Sequence, residues 1–271
     1  MNGRVSATKS DGLVTKRMLI VKLGSTFPSL VRETGDFDVW ITDRLGVDPT
    51  LVAVVDPIVG ETLPDPRQYS GIVLTGSHDM VTTRLPWSER TAAWIPAVLR
   101  NNVPMLGICY GHQLIAHAMG GIVGDNPQGS EYGTVRVHLS AYGRRDVLFH
   151  GFPPEIRTHV SHVQSVLKLP RRARRIASSA NEKHQAYFLP PSAWGVQFHP
   201  EFNESVISRY VGEFADVLRS EGKAPHRMHR EITGTPMSEE ILRRFAGMAL
   251  NGLERHRRML IDPVAGGRHV E

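Results

Sequence analysis

The chain has a single cysteine in 271 residues, and it stands in Gly107-Ile108-Cys109-Tyr110-Gly111-His112-Gln113, directly after the apolar run Val103-Pro104-Met105-Leu106. An apolar run, a cysteine between glycines and then a helical stretch make a strand-to-helix turn. A residue at such a turn takes a strained backbone conformation, and strand, helix and substrate all approach it closely; glycine, lacking a Cβ, permits both. The chain is thereby confined to folds in which a buried strand feeds a helix. The thiol then sits at a helix N-terminus, where unpaired N–H groups and the positive end of the dipole favour the thiolate and can donate to an oxyanion. A buried structural cysteine is the competing reading, but two glycines at a sharp turn pack a core poorly and give good access.

A nucleophilic cysteine needs a base, and the base needs an orienting group. Trp194-Gly195-Val196-Gln197-Phe198 reads as a short buried strand that runs into His199-Pro200-Glu201. There His199 can take the thiol proton, Glu201 can hold the imidazole and Pro200 stiffens the link. Histidine and glutamate two apart at a strand end are common by chance. Joined to the cysteine turn, they form a Cys-His-Glu constellation.

These two segments, Gly107 to Gln113 and Gly195 to Phe202, resemble the motifs of class I (triad-type) glutamine amidotransferases, most of all the amidotransferase domain of GMP synthetase. The resemblance runs from about Met18 to Gly222. It includes Gly71-Ile72-Val73-Leu74-Thr75-Gly76-Ser77, similar to the family's strand and oxyanion loop, and Glu131-Tyr132-Gly133 with Ser161-His162, similar to its glutamine-side segments. It implies a flavodoxin-like, doubly wound α/β fold: a mostly parallel sheet with helices on both faces and a small antiparallel extension. It also implies Cys109 as nucleophile, His199 as base and Glu201 as its partner, hydrolysing glutamine through a γ-glutamyl thioester. The amides of Ser77 and Tyr110 would hold the oxyanion, and Gly76, Gln113, Ser161 and His162 would line the substrate site. No cofactor and no metal are expected.

Two positions depart from the family pattern. The loop usually reads Gly-Gly-Pro and here reads Gly76-Ser77-His78, which puts a side chain into a crowded place. In GMP synthetase Ser-His is followed by Gly-Asp, and here by Val163-Gln164. Three readings therefore stand: a stand-alone glutamine amidotransferase, a γ-glutamyl peptidase or hydrolase using the same thioester chemistry, and a non-catalytic binding protein on the same scaffold. Neither a Gly-rich phosphate loop nor a synthase domain is found, so ammonia is expected to pass to a separate synthase or to be released.

Strands are expected at 17–24, 51–55 and 71–74, with a helix at 28–34 and a polar connection at 36–45. Alternating buried strands and helices imply parallel pairing, with ligands at the carboxyl ends of the strands, where Gly76, Ser77 and Cys109 fall. The stretch 87–100 has helical spacing interrupted by Pro96, which predicts a kink or an early break. The helix after Cys109 is closed by Gly120 and Gly121; His112 and His117, five apart, do not share a face and read as packing or capping residues. From 122 to 198 short, partly alternating runs at 135–139, 156–160, 176–179 and 184–188 predict antiparallel strands. His159 and His162 among them have no cysteine or carboxylate cluster to complete a metal site.

A helix capped by Asn203 carries an apolar stripe from Val206 to Leu218 and stops at Gly222. The expected division is a disordered segment at 1–16, the amidotransferase domain at 17–222, and a linker with a C-terminal amphipathic helix at 223–271. That helix, opening at Thr235-Pro236, carries Ile241, Leu242, Phe245, Met248, Ala249 and Leu253, with Arg255, Arg257 and Arg258 at its end. Its stripe either packs back on the core or makes a homodimer or partner surface.

The composition is 41% hydrophobic, enough for a sizeable core. No apolar run is long enough to span a bilayer and 1–16 lacks a signal-peptide core, so a cytoplasmic protein without membrane association is expected. The run Arg171-Arg172-Ala173-Arg174-Arg175 suggests nucleic acid, but the net charge is only +5 and no aromatic residues interleave it, so a solvated loop is the reading, with an acidic protein partner second.

Overall fold

Short apolar runs become buried strands because backbone groups removed from water must pair with one another. In the computed structural model, which describes residues 16–252, the strands are β1 (Met18–Val21), β2 (Val52–Val55), β3 (Gly71–Leu74), β4 (Met105–Ile108), β5 (Ile122–Asp125), β6 (Glu131–Leu139), β7 (Glu155–His162), β8 (Gln164–Lys168), β9 (Arg174–Ser178), β10 (Ala186–Leu189) and β11 (Ala193–Val196). The helices are α1 (Pro28–Thr34), α2 (Phe37–Leu45), α3 (Pro86–Arg100), α4 (Tyr110–Ala118), α5 (Glu204–Glu213), α6 (Ala215–Ser220), α7 (Pro225–Glu231) and α8 (Pro236–Asn251).

Nine strands form one sheet in the order β2-β1-β3-β4-β11-β10-β9-β6-β7. From β2 to β11 every pairing is parallel. From β11 to β7 every pairing is antiparallel, and this is the extension expected from the alternating runs. β5 and β8 pair apart from it as a two-stranded ribbon. Alternate residues of the parallel strands feed two cores. Met18, Ile20, Val73 and Leu106 pack with Ile41, Leu45, Ile241 and Phe245 of α2 and α8. Leu19, Val21, Ile72 and Met105 pack with Ile95, Val98, Leu114 and Ile115 of α3 and α4. Helices thus cover both faces of the sheet.

Four expectations meet a different outcome. Residues 37–45 are helical and not a connection: Asp36 caps α2 by accepting from the Phe37 amide, and Phe37, Trp40, Ile41 and Leu45 form its buried face. Of the kink or early break expected at Pro96, the break does not occur: helix α3 runs through Pro96 to Arg100. The single helix expected after Asn203 is two, α5 and α6, meeting at Phe214, although Asn203 does cap α5 through the Val206 amide. The stretch 223–234, read as linker, contains α7.

Helix α8 buries Ile241, Leu242, Phe245, Ala246, Met248 and Ala249 within this molecule's own core. The segment 1–15 and the positions of Leu253, Arg255, Arg257 and Arg258 lie outside the described residues. Among the described residues no helix is long and apolar enough to cross a membrane.

Candidate active site

The carboxyl ends of β3, β4 and β11, neighbours in the sheet, deliver the residues singled out in the sequence. Gly76 and Ser77 follow β3, Cys109 follows β4, and His199 and Glu201 follow β11. Cys109 has φ 48° and ψ −98°, the strained conformation a nucleophile turn requires. The glycines are explained by close approach: a Cβ on Gly107 would lie 2.4 Å from the Gly111 backbone, and one on Gly111 2.6 Å from the Leu74 carbonyl oxygen. The Cys109 amide donates to the Val196 carbonyl (2.8 Å), tying the turn to β11.

His199 Nδ1 and Glu201 Oε1 are 2.7 Å apart, both side chains nearly sealed from water. The imidazole stacks on Phe202, with ring centroids 4.0 Å apart, and lies against Phe37 at 6.2 Å. Burial, the largest influence, pulls the His199 pKa down, but the charges of Glu201 and Cys109 and the hydrogen bonds to both outweigh it and raise it to about 10. With Nδ1 engaged by Glu201, the buried Nε2, which has no nitrogen or oxygen partner, is the ring atom left for the sulfur. Cys109 Sγ lies 3.8 Å from the Ser161 carbonyl oxygen and 3.5 Å from Gln197 Nε2. In front of the sulfur is a pocket of about 260 Å³, lined by Ser77, Tyr110, Gln113, Ser161 and His162 among others, with an apolar wall that includes Phe27, Tyr132 and Phe214.

The remaining site candidates fall as follows. Gly76 backs the base: a Cβ there would meet His199 Cε1 at 3.1 Å. Ser77 accepts from the Asp79 amide through Oγ (3.1 Å). The Tyr110 side chain turns away, its hydroxyl donating to Ser88 (2.7 Å), so its amide is what it can offer at the turn. Gln113 Nε2 donates to the Gln164 carbonyl (2.8 Å) and to Gln197 Oε1 (3.0 Å), so its nitrogen is spent on the protein. Ser161 presents its backbone to the sulfur, and His162 is held between Glu131 (3.0 Å) and the Gln164 carbonyl (3.1 Å).

Three other histidines take structural places, while His78 lines the pocket in front of the sulfur. His112 is fully buried against Tyr187, its pKa pushed down to about 3 by burial; His117 pairs with Glu89 at 3.0 Å; burial lowers His159 to about 4. Among the described residues no group of three or more His, Cys, Asp or Glu side chains is placed to hold a metal ion. Sequence reasoning passed over Gln197 and the aromatic cage of Phe37 and Phe202. Gln197 was findable, since the two-residue period of extended chain puts it on the same side as His199.

The parallel part of the sheet offers a cysteine at one strand end and a buried His–Glu pair at the next, the layout of a nucleophile with its base and that base's orienting acid. The family model "Glutamine amidotransferase class-I" matches residues 42–214, and the chain belongs to that family. It is 32% identical over 195 residues to a glutamine-hydrolysing GMP synthase of Aeropyrum pernix, covering 72% of this chain and 34% of that protein. The chain thus spans about a third of that relative's length. It is 31% identical over 187 residues to one subunit of the glutamine-hydrolysing GMP synthase of Ignicoccus hospitalis, covering 68% of this chain and 88% of the relative. A solved glutamine amidotransferase of Thermotoga maritima shares the fold, with a TM-score of 0.66 and 22% identity over 88% of this chain and 99% of its own.

Proposed function

We propose that this chain hydrolyses the side-chain amide of glutamine at Cys109, and that the ammonia goes to a separate synthase. The observation that carries the reading is the Cys109 sulfur, fronting a pocket, beside an imidazole that Glu201 holds at 2.7 Å. His199 would take the thiol proton, and Sγ would attack the amide carbon to give a tetrahedral oxyanion held by the amides of Ser77 and Tyr110. His199 would then return the proton to the nitrogen as ammonia leaves and the γ-glutamyl thioester forms. Water, giving its proton to His199, would cleave the thioester and release glutamate and the thiol. The family and the similarity to proteins named as synthase subunits support the ammonia-donor role. A cytoplasmic location fits that role.

A second reading, hydrolysis of a γ-glutamyl peptide or conjugate, is favoured by the wall of Phe27, Tyr132 and Phe214, which offers apolar contact that a free ammonia leaving group does not use. Glutamate release from glutamine and from a panel of γ-glutamyl peptides, with Cys109→Ala as blank, separates the two. Preference for glutamine, alone or on adding a candidate synthase, supports the first. Preference for the peptides overturns it in favour of the second, and activity retained in Cys109→Ala overturns both.

A further inference from the structure

The polarity of one buried hydrogen-bond chain is fixed from its far end. The Gln164 carbonyl oxygen can only accept, so the Gln113 side chain, 2.8 Å away, must face it with its NH₂. The same Gln113 nitrogen lies 3.0 Å from the Gln197 side chain, which must answer with its oxygen. Gln197, fully buried, then has one group left, and its NH₂ points at Cys109 Sγ at 3.5 Å. The usual ambiguity over which end of an amide is nitrogen is removed by a backbone carbonyl two links away.

We propose that Gln197 is a catalytic residue whose side-chain amide donates to the Cys109 thiolate, held in that orientation through Gln113 by the Gln164 carbonyl. Besides His199, the sulfur has two kinds of neighbour. The Ser161 carbonyl, 3.8 Å away, suits the neutral thiol, because it can only receive an S–H. Gln197 suits the thiolate, because it can only give an N–H. When His199 carries the proton away, the first contact loses its hydrogen and the second strengthens, as donors to charged acceptors do. An N–H aimed at the nucleophile therefore favours the attacking form of the enzyme and fades once the sulfur becomes a thioester. This rests on Cys109 being the nucleophile of the proposed function, and it makes Gln113 an orienting residue with only its amide oxygen free for a substrate.

Because the chain has one cysteine, alkylation by iodoacetamide reads Cys109 alone and needs no knowledge of the substrate. Gln197→Met keeps the length and removes the donor; Gln197→Glu keeps the shape and replaces the donor with an acceptor. At pH 7, Gln197→Met should slow alkylation about tenfold, the effect of losing a hydrogen bond to a charged group, and move the midpoint of the alkylation profile to higher pH. Gln197→Glu should slow it further. Glutamine turnover should fall in kcat with KM unchanged. Gln113→Leu, which unlocks the orientation, should act in the same direction by a smaller factor. The proposal is overturned if folded Gln197→Met and Gln197→Glu are alkylated at the wild-type rate, or if KM alone rises. An alkylation rate unchanged in Gln113→Leu overturns the orienting chain. Should Gln197→Met fail to melt cooperatively, Gln197→Glu decides. A wild type that ignores glutamine while the alkylation series behaves as stated would defeat the proposed substrate and leave the Gln197 contact standing.

Discussion

At Cys109 the backbone is strained because the turn has no room to relax. The Gly107→Ala substitution tests this: its Cβ would meet the Gly111 backbone at 2.4 Å, and backbone cannot rotate aside as a flexible side chain can. We expect a loss of about 3 kcal/mol in denaturant unfolding, the upper end of the range for overpacking; a loss under about 1 kcal/mol would mean that the helix slides away at little cost. His199 makes a second prediction. Its raised pKa means that the folded state keeps a proton the unfolded chain releases near 6.5. The stabilisation from the charged form is full below that value and is lost as pH rises through about 10. Glu201→Gln removes the carboxylate charge that opposes burial, so the melting-temperature gap between wild type and variant should narrow as pH rises across that window. A gap that stays constant would separate the pair from stability altogether. The glycines, the cysteine and the His-Glu spacing were legible because each has a local chemical requirement. Gln197 was within local reach through its spacing from His199, whereas Phe37, far away in the sequence, depends on which distant ring shares the site, and that information is not local.

The elements show where local reading stops. Strands β1, β3, β4 and β11 were legible because residues buried on both faces leave unbroken apolar runs. Helix α2 reads as a connection in the sequence because Asp38, Thr42, Asp43 and Arg44 interrupt its apolar residues, although Phe37, Trp40, Ile41 and Leu45 sit at helical spacing. Its identity is set by distant partners: Ile41 and Leu45 pack with Ile241 and Phe245 of α8, and Phe37 and Trp40 with Phe202, Ile207 and Tyr210. The ribbon of β5 and β8 was illegible for the same reason: each strand gains its meaning from a partner some forty residues away. Of the two readings of α8, a face packed back on the core is the one observed for the buried residues. Phe245→Ala should therefore cost about 3–5 kcal/mol, as for a large buried aromatic, measured by urea unfolding. A cost below about 1 kcal/mol, together with a change in oligomeric mass, would instead point to a face that packs on another molecule.

Across the whole molecule, charge and chemistry occupy opposite ends of the sheet. Cys109 and His199 follow the carboxyl ends of β4 and β11. Asn102 and Pro191, just before the amino ends of the same strands, line an open groove of about 570 Å³ with Arg100, Arg171 and Arg172. No ion pair is formed by these three arginines among the described residues; the arginines of the run 171–175 are exposed as its sequence suggests, but only Arg171 and Arg172 lie in a loop, since Arg174 and Arg175 open β9, which pairs with β10. This separation gives a prediction about the molecule as a unit. Arg171→Ala with Arg172→Ala should leave kcat and KM for glutamine within about twofold of wild type, because the charges removed lie across the sheet from the sulfur and are screened by solvent over about 10 Å at ordinary salt. The same arginines bear on the class of partner. Three charges on a groove without interleaved aromatics supply few phosphate contacts, and affinity for a duplex scales with the number of phosphates neutralised. Titrating a nonspecific duplex at low salt should give no salt-sensitive micromolar binding. Such binding, abolished in the double variant, would show that this end of the sheet is a nucleic-acid surface and that a net charge of +5 understates it.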